Sequence, residues 1–253
     1  MIMQLFTEHK VLTSVFLILI ILLVVVVFNF LVIKNNGTSV PAPEIPRGKA
    51  TLGSGDKLNY LIFGDSTSIS QGGDYDQGYV VGTATKLAEN YEVTYQNFGV
   101  SGARTNDVLQ DQLTRSKDFS PDIVLIAIGA NDVTHLTPLK SIEDDMNQII
   151  TELKKRNPDV KIVFTGSAAM GEVTRFPQPA RYIAGLQTNR VNKVMERVAQ
   201  ENQVTFAYIA RETGPIFREN PQFFAEDNFH PNNQGYAVWT PVLNEALSIA
   251  LNQ

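Results

Sequence analysis

Tyr60-Leu-Ile-Phe-Gly-Asp-Ser-Thr-Ser-Ile-Ser-Gln71 is the stretch on which the reading of the fold turns. Tyr60–Phe63 is a short apolar run closed by Gly64, which suits a strand buried on both faces of a parallel sheet. Gly64-Asp65-Ser66 follows at once. Open α/β sheets bind ligands at the carboxyl edge of their strands. A serine at that edge stands on a rigid base with its hydroxyl turned outward. The same tripeptide also suits a plain polar turn, so its meaning depends on the rest of the chain.

From Leu58 onward, strand and helix patterns alternate. Val93–Phe98, Ile123–Ile128, Lys161–Thr165 and Val204–Tyr208 read as strands, and Ile123–Ile128 is apolar throughout. Helical spacing appears at Gly78–Asn90, at Thr105–Arg115, from Ser141 to the stop at Asn157-Pro158, and at Leu186–Gln200. Ser141 and Asp144 have the spacing of a capping box. A last helix carries Trp239, Leu243, Ala246 and Leu247 on one face, and Pro241 either opens it behind a Thr240 cap or kinks it. The alternation predicts a five-stranded parallel sheet covered by helices on both faces. Ser167–Gly185, rich in small and proline residues, reads as a loop that shapes a substrate pocket or as a packed crossover.

The chain has 253 residues and a net charge of -5, with no Lys/Arg cluster, so it carries no nucleic-acid footprint. It has no cysteine, which excludes disulfides, thiolate catalysis and thiolate metal sites. Met1–Lys10 is a short tail. Val11–Ile33 is an uncharged run of about 23 residues, roughly 34 Å as a helix and enough to cross a bilayer core of about 30 Å. The apolar part of a cleaved signal peptide is usually about 7–15 residues long, so a retained transmembrane anchor is the expectation. Residues 34–57, with Pro41, Pro43 and Pro46, read as linker, and residues 58–253 as the folded domain. Lys10 precedes the span while Lys34, Arg47 and Lys49 follow it, a count that leans toward a cytoplasmic domain. Long domains translocate largely regardless of such charges. The sequon at Asn36-Gly37-Thr38 decides nothing.

Three further stretches fall where strands end or a helix begins: Asn97-Phe-Gly-Val-Ser-Gly102, Gly129-Ala-Asn131-Asp132, and Asp227-Asn-Phe-His230-Pro231. Ester cleavage by serine needs a base to accept the hydroxyl proton, a carboxylate to orient that base, and donors for the oxyanion. Ser66, His230 and Asp227 fill the first three roles, Asp227 lying one turn before His230. The Ser66 and Gly102 N–H groups and the Asn131 amide supply the donors, glycine at 102 admitting a close backbone approach. His9 precedes the span, and His135 has only Asp132 nearby, whose expected task is to hold its own loop. Gly99-Val-Ser101-Gly102-Ala103 nearly matches a Gly-x-Ser-x-Gly elbow but lacks the last glycine. No His-Glu-x-x-His occurs, and three histidines in all leave a metal site unexpected.

Phe63-Gly-Asp-Ser66, Asn97-x-Gly-x-Ser-Gly102, Gly129-x-Asn131-Asp132 and Asp227-x-x-His230-Pro231 together resemble the four blocks of the SGNH (GDSL-type) hydrolases, in that family's order. The resemblance runs from about Leu58 to the C-terminus. It implies a flavodoxin-like three-layer α/β/α fold and hydrolysis of esters without metal or other cofactor. It makes Ser66 the nucleophile, His230 the base, Asp227 its orienter, and Ser66, Gly102 and Asn131 the oxyanion donors. It also favours a domain outside the cell membrane, and the anchor would then place the site near O-acetylated envelope glycans and lipid esters as expected substrates. A catalytically silent binding module of the same fold and an acyltransferase are the alternatives. Thr67 stands where the family has leucine, a position read as packing.

Overall fold

Strand residues Tyr60 to Phe63 alternate between two buried clusters, as a pleated strand with both faces covered must. Leu61 and Phe63 join Val124, Ile126, Ile162 and Phe164 on one face, while Tyr60 and Ile62 join Ile123, Leu125 and Val163 on the other. The structure, a computed structural model, describes residues 2–35, 40–44 and 48–253. Asn36-Gly37-Thr38, Pro46 and Arg47 lie outside the described residues.

In chain order, α1 (Ile2–Asn35) is followed by β1 (Ala50–Leu52), β2 (Asp56–Gly64), α2 (Tyr79–Leu87) and β3 (Tyr91–Asn97). Two short helical pieces, α3 (Thr105–Asp107) and α4 (Leu113–Arg115), flank a π-helical turn at Val108–Gln112. Next come β4 (Ile123–Ala127), α5 (Ala130–Thr134), α6 (Leu139–Arg156), β5 (Lys161–Phe164), α7 (Ala180–Glu201), β6 (Thr205–Phe206), α8 (Ile209–Glu219) and α9 (Asn233–Leu251). Helices α6 and α7 cover one sheet face through Ile142, Met146, Ile149, Val191, Met195 and Val198. Helices α2, α8 and α9 cover the other through Val80, Ala84, Phe217, Trp239, Leu243 and Leu247. Three layers result.

The sheet corrects the sequence expectation. It is six-stranded and mixed among the described residues, in the order β1-β3-β2-β4-β5-β6, rather than five-stranded and all parallel. The added strand, β1, lies in the stretch read as linker. It pairs antiparallel to the outer edge of β3, with Ala50 opposite Tyr95 and Leu52 opposite Val93. The chain then crosses the start of β3 at Gly53, whose φ of +77° and contacts with the Tyr91 and Ala88 carbonyls leave no room for a side chain. The remaining strands are parallel. Among themselves they follow a 2-1-3-4-5 order, whose switch point lies between β2 and β4. Gly64-Asp65-Ser66 and Gly129–Asp132 leave the sheet there.

Helix limits differ at several ends. α6 starts behind Pro138, so Ser141 lies inside the helix and caps nothing. α9 starts at Asn233, where Asn232 accepts from Gly235 N at 3.1 Å. Pro241 is therefore inside α9, and Thr240 bonds back to the Tyr236 carbonyl at 3.1 Å. In α1, Lys10–Asn29 has mean hydropathy 3.4 and is exposed except at Val25 and Asn29, so by length and composition it can cross a membrane. Its helix already includes the stretch read as an N-terminal tail, from Ile2.

Candidate active site

Ser66 follows β2 in a tight polar turn. Ser68 N donates to Asp65 O at 3.1 Å, and Gln71 N to Ser66 O at 3.0 Å. Asp65 Oδ1 accepts from both Thr67 N (2.9 Å) and Thr67 Oγ1 (2.8 Å), so the Thr67 side chain does polar work where packing was expected. Burial pushes the Asp65 carboxyl above the usual carboxylate range despite these hydrogen bonds. The base of the turn is clamped by a group that the sequence did not single out. Gln112, fully buried at the end of the π-turn, accepts from Gly64 N at 3.0 Å and donates to Gly64 O at 2.8 Å. Asn97 Nδ2 donates to Ser68 O at 2.8 Å, tying the second motif to the serine turn. Gly99 lies so close to Ser68 Oγ that any side chain there would overlap it.

His230 reaches the serine from a separate turn. Asn228 adopts φ +55°, a left-handed conformation that asparagine tolerates, and bends the chain back. Asp227 Oδ1 then accepts from Phe229 N and His230 N, each at 3.0 Å. Asp227 Oδ2 lies 2.6 Å from His230 Nδ1, and His230 Nε2 lies 2.9 Å from Ser66 Oγ. Burial raises the Asp227 carboxyl, but hydrogen bonds from the His230 ring and the two N–H groups outweigh it and hold the group below its usual range. The turn is anchored on both sides, by Ala225 N to His230 O at 2.8 Å and by Arg175 N to Asn228 O at 2.9 Å. Phe229 packs edge-on to Phe176, their centroids 5.9 Å apart.

The other singled-out residues fall into place unevenly. Asn131 sits in the first turn of α5 and borders the same cavity as Ser66 and His230. One of its amide N–H groups is spent on Ala103 O at 3.0 Å, leaving the second. Gly102 is exposed at φ +81° and does not border that cavity. No atom lies within 4 Å of where its side chain would be, so here backbone conformation, not close approach, favours glycine. Asp132 is fully buried and accepts from Thr105 N and Thr105 Oγ1, each at 3.1 Å. It ties the loop after β4 to the start of α3. His135 is exposed, its Nδ1 2.8 Å from Asn131 O. Ser101 Oγ donates to Gln71 Oε1 at 2.7 Å. From the stretch after β5, Ala168, Ala169, Met170 and Val173 border the cavity, and α7 takes over from Ala180.

An alcohol hydrogen-bonded to an imidazole whose far nitrogen meets a carboxylate is an arrangement able to activate that alcohol as a nucleophile. Residues 62–238, more than half of the chain, match the profile of the GDSL-like Lipase/Acylhydrolase family. A GDSL-like esterase of Mycobacterium tuberculosis is 25% identical over 205 residues, covering 78% of this chain. The match spans 63% of that relative's length. Among solved structures, the crystal structure of TesA is similar at a TM-score of 0.62 and 19% identity, covering 76% of this chain and 99% of that one. The psychrotrophic esterase EstA from Pseudoalteromonas sp., inhibited by monoethylphosphonate, is similar at 0.61 and 16%, covering 78% and 100%. These two likenesses establish the fold.

Proposed function

This chain belongs to the GDSL-like lipase/acylhydrolase family, and from that premise we propose that it hydrolyses esters through an acyl-serine intermediate on Ser66. The observation that carries the reading is the unbroken path from Ser66 Oγ to His230 Nε2 at 2.9 Å and from His230 Nδ1 to Asp227 Oδ2 at 2.6 Å. In the first half-reaction Ser66 Oγ attacks the ester carbonyl carbon while its proton passes to His230 Nε2. The tetrahedral oxyanion is met by the Ser66 N–H and by the free N–H of the Asn131 amide, which border the cavity, while Gly102, outside its lining, reaches the oxyanion only if its loop closes toward Ser66. His230 then gives its proton to the departing alcohol. In the second half-reaction water, deprotonated by His230, attacks the acyl carbon, and Ser66 leaves with the proton returned. Asp227, ionised throughout, fixes the ring tautomer and stabilises the imidazolium.

Activity on a p-nitrophenyl ester tests this reading. Ser66→Ala and His230→Ala should each abolish most turnover, and Asn131→Ala should lower kcat by about 10²–10³-fold. Normal turnover by Ser66→Ala would end the assignment. Binding of esters without any reaction would instead make the domain a binding module.

The apolar length of α1 supports an anchored enzyme, with Val11–Ile33 in the membrane and residues 58–253 on its outer side. That location favours O-acetylated envelope glycans or lipid esters as substrates. Protease added to intact cells should digest the domain. Protection in intact cells, with digestion after lysis, would place it inside.

A further inference from the structure

Resting on the esterase reading above, we propose that the acyl subsite of this enzyme is closed to long chains and takes acetyl to butyryl groups. The cavity bordered by Ser66, Asn131 and His230 has a volume of about 40 Å³. An apolar protein cavity of about 150 Å³ accommodates a six-carbon ring. On that scale the space beside Ser66 holds an acyl tail of about one to three carbons.

What closes the cavity is a wall of three buried side chains, Met170, Phe217 and Trp239, and the half-buried Phe224. Met170, Phe217, Phe224 and Trp239 border it. The Phe217 ring lies 5.0 Å from Phe224 and 6.3 Å from Trp239, centroid to centroid. Phe217 and Trp239 belong to the core on one face of the sheet, and Met170 to the core on the other. Retreat of the wall would therefore open voids in both cores at once, and interiors packed as densely as organic crystals resist that. A longer chain has to leave through the mouth, where each added methylene stays wet and gains no burial. Beyond the reacting groups the lining offers no Lys or Arg to pair with an anionic tail, and the Asp65 carboxyl is committed to Thr67, so the tail is a small uncharged alkyl group. The substrate class that follows is acetate and other short-chain esters, with the bulk of recognition on the alcohol side.

A series of p-nitrophenyl esters from acetate to palmitate, each rate corrected for the ester's own reactivity with hydroxide, tests the proposal on the unaltered protein. The kcat/KM should be highest between acetate and butyrate and lower by about tenfold or more at octanoate. Phe217→Ala and Met170→Ala each remove part of the wall, and the folded variants, checked by circular dichroism, should raise the octanoate-to-acetate ratio by about tenfold. Octanoate turned over by the unaltered protein as fast as acetate would overturn the proposal while leaving the esterase reading intact. So would a ratio that neither folded variant moves. Absence of Ser66-dependent hydrolysis at every chain length would sink the esterase reading itself, and the subsite with it.

Discussion

Gln112 holds the base of the serine turn without bordering the cavity. Its amide satisfies both the N–H and the C=O of Gly64, two residues before Ser66. Gln112→Leu keeps the volume but strands a buried N–H, which costs about 1–3 kcal/mol. It should also let the serine turn drift, lowering kcat more than it changes KM; an unchanged kcat would make the clamp purely structural. Asp65 allows a second test. Its carboxyl is raised by burial, so its ionised form opposes folding. That penalty is absent below the ordinary carboxylate pKa and sets in as pH rises through the range where the unfolded chain ionises. Asp65→Asn retains an acceptor for both Thr67 donors. Its stability relative to the parent protein should therefore grow as pH rises above the ordinary carboxylate range, as read by urea unfolding at each pH. A difference that is flat with pH would contradict the raised carboxyl. The meeting of Ser66, Asp227 and His230 was legible because each stands in a short motif of chemically distinctive residues. Gln112 was not, because its partner is backbone at a separation of 48 residues, and no local pattern records such a contact.

At the scale of elements, β1 carries the sharpest prediction. Three residues pair with β3 in a defined register, and Thr51 Oγ1 lies 3.2 Å from Thr94 Oγ1. Cross-strand pairs contribute roughly 0.2–1 kcal/mol each, so with three pairs a chain starting at Gly55 should be about 0.6–3 kcal/mol less stable than one starting at Gly48. Equal denaturation midpoints would mean that the strand adds nothing. Ile123–Ala127 was readable because a strand buried on both faces is apolar throughout. β1 was not, since a three-residue edge strand among Pro, Gly and Ser has too few side chains to establish a period. α8 was missed as well: Gly214 and Pro215 sit inside it, and both depress the helical signal. The first turns of α7 were read as loop because Ser167–Gly185 as a whole is rich in small, polar and proline residues, and Pro177, Pro179 and Gly185 bracket Ala180–Ala184. The π-turn at Val108–Gln112 leaves the apolar spacing of an ordinary helix nearly intact, so only the structure reveals the shift that delivers Gln112 to Gly64.

For the whole molecule, the layers set the chemistry's geometry: β2 and β4 part at the switch point, and the serine turn and the Asn131 loop emerge side by side. The histidine arrives from outside the sheet, on the turn that leads into α9. If α1 anchors the protein as proposed, removing residues before Gly48 should release it from membranes yet leave kcat/KM on a soluble ester within about twofold, because no described residue of α1 borders the cavity. A large loss of activity on release would tie α1 to catalysis. The central claim, that three side chains brought together from distant segments make Ser66 nucleophilic, is tested most directly by covalent trapping. The intact protein is treated with a fluorophosphonate, digested, and the modified residue located by mass spectrometry. A single adduct on Ser66, lost in His230→Ala, is the predicted result; an adduct elsewhere, or none under conditions in which esters are hydrolysed, contradicts the account.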